Sequence, residues 1–314
     1  MPLDPRVKRF LDVLAAGNPP DARSVSVTQR RAQLVELMKF SGPAPAGGAT
    51  RDLTLCTAAG PLNVRSYSPA DAPGTALPGL IYFHGGGLVA GSIDTHGAIA
   101  QSLAHHGACR VISVDYRLAP EHPFPAALDD AAAAVAHIVA HAADFGIDAR
   151  KLGVCGDSAG GTLAAATCHA MARSTASPLA LQLLICPILD YSRTTGSRRD
   201  FDRGYLVDQA TLDHDLAHYA PGGADPDDPR ISPLRAADLS GVPPTIIHTA
   251  EFDPLRDEGQ DYFNRLTHTG SAVSYTCHAG MIHLFYGLGG VIPYARTALE
   301  KIGADIREVL GAAK

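Results

Sequence analysis

The run Leu152-Gly153-Val154-Cys155-Gly156-Asp157-Ser158-Ala159-Gly160-Gly161 joins a short apolar segment to an alanine-rich, helix-forming stretch, Thr162 to Ala172. A serine between two glycines at such a junction fits a nucleophile elbow, in which a sharp strand-to-helix turn exposes the hydroxyl. Gly156 and Gly160 suit the turn because side chains would crowd it and glycine tolerates strained dihedrals. The following helix would aim its free N–H groups and positive dipole end at the serine, where negative charge develops. Gly-x-Ser-x-Gly also arises in ordinary loops, so the pattern needs support from the rest of the chain.

Working outward, continuous apolar runs alternate with helix-like stretches. Gly79 to Phe83, Val111 to Val114, Leu152 to Cys155, Leu181 to Cys186 and Thr245 to Thr249 read as buried strands, with Ser271 to Cys277 a sixth. Helical stretches over 95–106, 125–141, 158–172, 254–267 and 293–310 lie between and after them. This alternation predicts an α/β fold with a mostly parallel central sheet flanked by helices. Upstream, Asp52 to Thr57 and Leu62 to Tyr67 alternate with period two around Ala59-Gly60-Pro61, the pattern of an antiparallel hairpin. Two short helices are expected before that, carrying Val7, Phe10, Leu11 and Leu14, then Leu34, Val35, Leu37 and Met38, separated at Pro19-Pro20. Residues 191–230 interrupt the rhythm around one helical stretch, Asp208 to Tyr219. The expected organisation is therefore N-terminal cap helices over 1–45, catalytic core over 46–190 and 231–314, and a cap insertion over 191–230 that packs with the N-terminal helices as a lid.

Composition narrows the function classes. A chain of 314 residues can bury a large core. Its net charge of −6, without a long basic run, argues against nucleic acid as a partner. No uncharged apolar run approaches the roughly 18 residues a membrane span needs. Arg6, Lys8 and Arg9 precede Phe10 to Ala16, but Asp12 makes that segment a poor signal-peptide core. Six widely spaced cysteines without a C-x-x-C pair read as reduced thiols, which sets the expectation of a cytoplasmic protein. The charge leaves open whether the chain forms a homodimer.

A serine hydroxyl needs a base to remove its proton, and the base needs a carboxylate to orient it. In sheets of this class both should follow strands. Asp253 stands just after the strand at 245–249, and His283 follows the one at 271–277, giving the order Ser, Asp, His expected of α/β-hydrolases. Glu251, Asp257 and Glu258 compete with Asp253; acids in a first helical turn have an ordinary role against the dipole. His278 competes with His283 but directly follows Cys277 at the expected strand end. Upstream, His84-Gly85-Gly86-Gly87 follows the strand ending at Phe83, as an oxyanion loop with open backbone N–H groups would. His137 and His141 share a helix face at zinc-binding spacing, but no H-E-x-x-H glutamate accompanies them, so no metal or other cofactor is expected. Asp115 to Glu121 is read as a loop beneath the site, with Glu121 holding a backbone turn. Cys155 reads as a buried inert thiol.

These segments together resemble the bacterial hormone-sensitive-lipase-like esterases, in particular those with a GDSAG motif. The resemblance rests on His84 to Gly87, Asp115 to Glu121, Gly156 to Gly161, Asp253 to Gly259 and Gly280 to His283, and runs from about residue 50 onward. It implies the α/β-hydrolase fold with a small helical cap, no cofactor and a small-molecule ester substrate of short to medium acyl chain. It implies Ser158 as nucleophile, Asp253 as orienter, His283 as base, and the amides of Gly85, Gly86 and Ala159 as oxyanion donors. The chain departs from the family where Leu88 and Val89 replace the usual aromatics, where Leu284 replaces a frequent glycine, and in having no tryptophan. Leu88, Ile282, Leu284 and Phe285 are accordingly the expected pocket residues. An amidase or lactonase using the same three residues is the alternative enzyme, and a non-catalytic ligand-binding member of the fold the alternative outside enzymes.

Overall fold

The computed structural model describes residues 2–70, 76–173 and 179–311. One eight-stranded sheet runs in the order β1-β2-β4-β3-β5-β6-β7-β8. Its strands are β1 (Ala49–Thr57), β2 (Gly60–Ser68), β3 (Leu77–Phe83), β4 (Arg110–Val114), β5 (Ile147–Asp157), β6 (Leu181–Ile185), β7 (Thr245–Phe252) and β8 (Val273–Ile282). The hairpin forms as expected, with Thr57 opposite Gly60, and β2 continues antiparallel onto β4. From β4 to β8 every pairing is parallel.

The core helices are α3 (Gly97–Gly107), α4 (Ala126–Ala140), α5 (Ala159–Ala172), α8 (Arg256–His268) and α9 (Tyr294–Leu310). They cover both sheet faces, so β3 is buried at all seven positions and reads as a continuous apolar run rather than an alternating one. The period-two geometry still sorts its side chains. Ile81 and Phe83 join the layer containing Ala131, Leu163 and Leu266; Leu80 and Tyr82 join the opposite layer with Leu103 and Ile302.

Residues ahead of the sheet form α1 (Pro5–Ala16) and α2 (Val27–Met38). Asp4 caps α1 by accepting from the Arg6 and Val7 amides, and Ser26 with Gln29 makes a capping box on α2. Val7, Phe10, Leu34 and Met38 are buried, whereas Val35 lies off the apolar stripe and is exposed. The 191–230 segment carries α6 (Gly196–Asp200) and α7 (Gln209–Tyr219). It meets the N-terminal helices directly, through Arg30 with Asp215 and His214 Nε2 with the Val25 carbonyl. Buried Arg198 of α6 ties this segment to the core through Glu258, whose other oxygen accepts from the Leu189 and Asp190 amides.

Two expectations change. Helix α6 has five residues, too few for a periodic signature. Strand β8 runs to Ile282 rather than stopping at Cys277, so His278 lies inside the strand and His283 is the first residue beyond it. Among the described residues no helix is long and apolar enough to cross a membrane. All six cysteines are free thiols; Cys109, Cys155, Cys168 and Cys186 are buried, Cys56 and Cys277 exposed.

Candidate active site

Four parallel strands end on the same edge of the sheet, and each delivers one part of the site. β3 leads into His84-Gly85-Gly86-Gly87, β5 into Ser158, β7 into Asp253 and β8 into His283. Ser158 sits at φ 51° and ψ −122°, a conformation held by its own amide donating to Ile185 and its carbonyl accepting from Gly161 and Ile188. The glycines around it have a steric cause. A Cβ on Gly156 would strike the Gly160 carbonyl, and one on Gly160 would strike the carbonyl of Phe83.

The three residues expected to act together lie in hydrogen-bonding sequence. His283 Nε2 is 3.1 Å from Ser158 Oγ, and its Nδ1 is 2.8 Å from Asp253 Oδ2. The Leu255 amide donates to the other Asp253 oxygen at 2.8 Å, which fixes the carboxylate plane. With Nδ1 protonated toward Asp253, Nε2 is left to accept the serine proton. Burial pushes the His283 imidazolium down, but the charge and hydrogen bond of Asp253 and the charge of Asp157 outweigh it. The imidazole is thereby held above its ordinary value.

Asp157 was not singled out from the sequence, yet it organises the other half of the site. Fully buried, it accepts from the Tyr82 hydroxyl, from the Gly85 amide at 3.0 Å and from the Tyr286 hydroxyl at 3.1 Å. Burial raises its carboxyl above the ordinary range despite these donors and the nearby His84 and His283. Beside it, the His84 ring stacks on Tyr116 at 4.4 Å and is pushed down to about 3 by burial, so it stays neutral.

The Gly85 amide therefore differs from its expected role. It is committed to Asp157 and cannot donate to a substrate oxygen. Its neighbours can. Among the described residues the amides of Gly86 and Gly87 have no protein acceptor, and that of Ala159, first residue of α5, has no intrahelical one. Gly86 and Gly87 take φ of +121° and +68°, values that favour glycine and turn the loop toward the elbow. Gly85 is excluded from bearing a side chain for another reason: a Cβ would come within 2.5 Å of Asp157 Oδ2.

The other acids and histidines lie elsewhere. The Glu251 carboxylate accepts from the Gly280 amide, Asp257 from Ser197, and Glu258 from the Arg198 guanidinium, so the two first-turn acids of α8 hold the 191–230 segment. His278 pairs with His248 at 3.0 Å. His137 and His141 stack, and the latter's Nδ1 bonds the carbonyl one turn back. Glu121 does not hold the turn expected of it. Exposed, it forms an ion pair with Arg31 of α2, whose guanidinium also donates to the Val89 and Ala119 carbonyls. Cys155 is buried and its thiol is pushed well up by burial.

Among the described residues one group has metal-ligand spacing. Cys186, Asp253 and His283 offer atoms within 4.8 Å of one another. Asp253 and His283 are already bonded to each other, and burial and Asp253 push the Cys186 thiol well up, so it packs protonated behind the pair.

All four expected pocket residues are buried. Leu88, at φ +63°, anchors the Ala119 amide; Ile282 closes β8 against Phe252; Leu284 adopts a left-handed φ of 60°. The Phe285 ring packs among His278, Tyr286 and Tyr294.

This sheet order and elbow define the α/β-hydrolase fold, and the sequence pattern of that family matches residues 80–287. The chain belongs to the α/β-hydrolase family, within its hormone-sensitive-lipase-like branch. It is 37% identical to an arylesterase of Saccharolobus solfataricus, covering 98% of this chain and 99% of that one. An ethyl acetate hydrolase of Pseudomonas putida is also 37% identical, over 99% of this chain and all of its own. An ester hydrolase from the metagenome of Lake Arreo, solved with a bipyridine phosphonate derivative, superposes with a TM-score of 0.95 at 38% identity, covering 99% of this chain and 100% of that one.

Proposed function

We propose that this chain is a serine carboxylesterase acting on small esters of short to medium acyl chain. The observation that carries the reading is the Ser158–His283–Asp253 relay, with spacings of 3.1 and 2.8 Å, beside three backbone amides free to receive an oxyanion. The full-length relatives named as ester hydrolases support the reaction class.

In the proposed mechanism Ser158 Oγ attacks the ester carbonyl carbon while His283 Nε2 takes its proton. The tetrahedral oxyanion is received by the amides of Gly86, Gly87 and Ala159. Collapse expels the alcohol, which takes the proton from His283, and leaves the acyl group on Ser158. Water, deprotonated by the same histidine, then releases the acid and restores the serine. Asp253 keeps the imidazole in the useful tautomer and stabilises the imidazolium. Residues 1–45 and 191–230 act as the lid over this site, which suits compact substrates.

The test is hydrolysis of p-nitrophenyl esters from acetate to palmitate by the protein and by Ser158→Ala. Turnover highest at short to medium chains and lost in the variant is expected. Equal activity in both proteins would remove Ser158 from the chemistry. Inactivity of both would end the esterase reading.

A further inference from the structure

Helices α2 and α7 meet over the oxyanion loop. A Cβ on Gly87, third glycine of that loop, would run into the carboxylate of Asp215, so this carboxylate lies against the loop itself. The Asp215 side chain is 4% exposed. A bare buried anion there would oppose the negative charge that Gly87 is placed to receive. Arg30 answers it with two bonds, Nε to Oδ1 at 3.3 Å and Nη2 to Oδ2 at 3.0 Å, while itself only 17% exposed.

The surroundings hold other titratable groups. His214 Nδ1 stands 3.1 Å from Asp215 Oδ1, and its Nε2 3.0 Å from the Val25 carbonyl. Tyr191, a buried phenol, also feels the Asp215 charge. His283 faces Ser158, Asp253, Asp157 and Cys186, and the positive charge of Arg30 reaches it and opposes its protonation.

We infer that Arg30 and Asp215 are a positioning pair of the hydrolytic site: Asp215 seats Gly87, and Arg30 cancels the carboxylate's charge beside the developing oxyanion. A plain lid fastener would account for the bonds but not for their place against the loop glycine. The inference rests on the proposed roles of Ser158, His283 and Gly87.

The test is a double-mutant cycle read by kcat, KM and the pH dependence of kcat/KM on p-nitrophenyl butyrate. Arg30→Met leaves Asp215 uncancelled. It should lower kcat about tenfold, with KM within about threefold, and move the acidic limb to higher pH. Asp215→Asn leaves Arg30 uncancelled and should move that limb to lower pH. The double variant should return the limb to its original place and recover most of kcat. Arg30→Lys keeps the charge and should leave the limb unmoved; if Arg30→Met does not fold, the move of the limb to lower pH in Asp215→Asn carries the test. Arg30→Met and Asp215→Asn moving the limb in the same direction or not at all, Arg30→Lys moving it as Arg30→Met does, or a double variant no better than Arg30→Met, would overturn the pair's role. Failure of the underlying esterase reading looks different, because Ser158→Ala would then match the unaltered protein.

Discussion

Asp157 joins the two halves of the catalytic edge with one buried carboxylate. Replacing it with alanine would leave the Gly85 amide and the Tyr82 and Tyr286 hydroxyls buried without their acceptor. The expected result for Asp157→Ala is a loss of about 3 kcal/mol in denaturant unfolding and a kcat lower by about a hundredfold. Asp157→Asn keeps an acceptor oxygen and should fall well short of both losses, in the same two assays. His283 gives a second prediction at this scale. In the proposed mechanism it must be neutral to take the serine proton, and it is held above its ordinary value. Its inactive imidazolium therefore persists to higher pH, and the acidic limb of kcat/KM should lie above about 6.5. Asp253→Asn removes the main charge that raises it, so that limb should move toward lower pH while kcat falls by about four orders of magnitude. A pH series on both proteins checks the sign.

Helix α5 can approach β3 only because Gly160 has no side chain. Gly160→Ala forces the elbow away from the Phe83 carbonyl, and a loss of about 3 kcal/mol is expected in urea unfolding, accompanied by loss of turnover. Glu258 of α8 is the corresponding point for the 191–230 segment. It holds Arg198 of α6 and two backbone amides, all buried. Glu258→Ala leaves a buried guanidinium without its counter-ion, which should cost about 3–5 kcal/mol, read as a shift of the urea midpoint. If the midpoint moves by less than a quarter of that, α6 is fastened by other contacts.

For the molecule as a whole, the features legible in sequence were those written in neighbouring residues. The glycines and serine of 156–161, the apolar runs of the central strands and the Ser, Asp, His order all announce themselves locally. The rest depends on which distant groups the fold brings together. The three glycines of 85–87 look alike in the chain. Only the packing of Asp157, 72 residues beyond Gly85, withdraws the first from service. His278 and His283 are separated by how far β8 stays paired with β7, which no single-strand pattern reports. Arg30 and Asp215 stand 185 positions apart, and nothing local in either segment marks the other. Glu258 carries an ordinary first-turn signature and turns out to anchor a different segment of the chain.

The Asp4 amide donates to the Gly280 carbonyl, three residues before His283, and a Cβ on Gly280 would press on Asp4. The residue ahead of α1 is thus fastened beside the turn that carries His283. During vectorial synthesis, when the earlier part of a chain emerges first, the elbow and oxyanion loop can take shape while α1 still lacks its docking strand. A contact across some 276 positions is one of the long-range pairings whose share in a fold slows its formation. Hydrolysis should then be the last signal to recover on refolding, behind the far-ultraviolet signal of the sheet and helices.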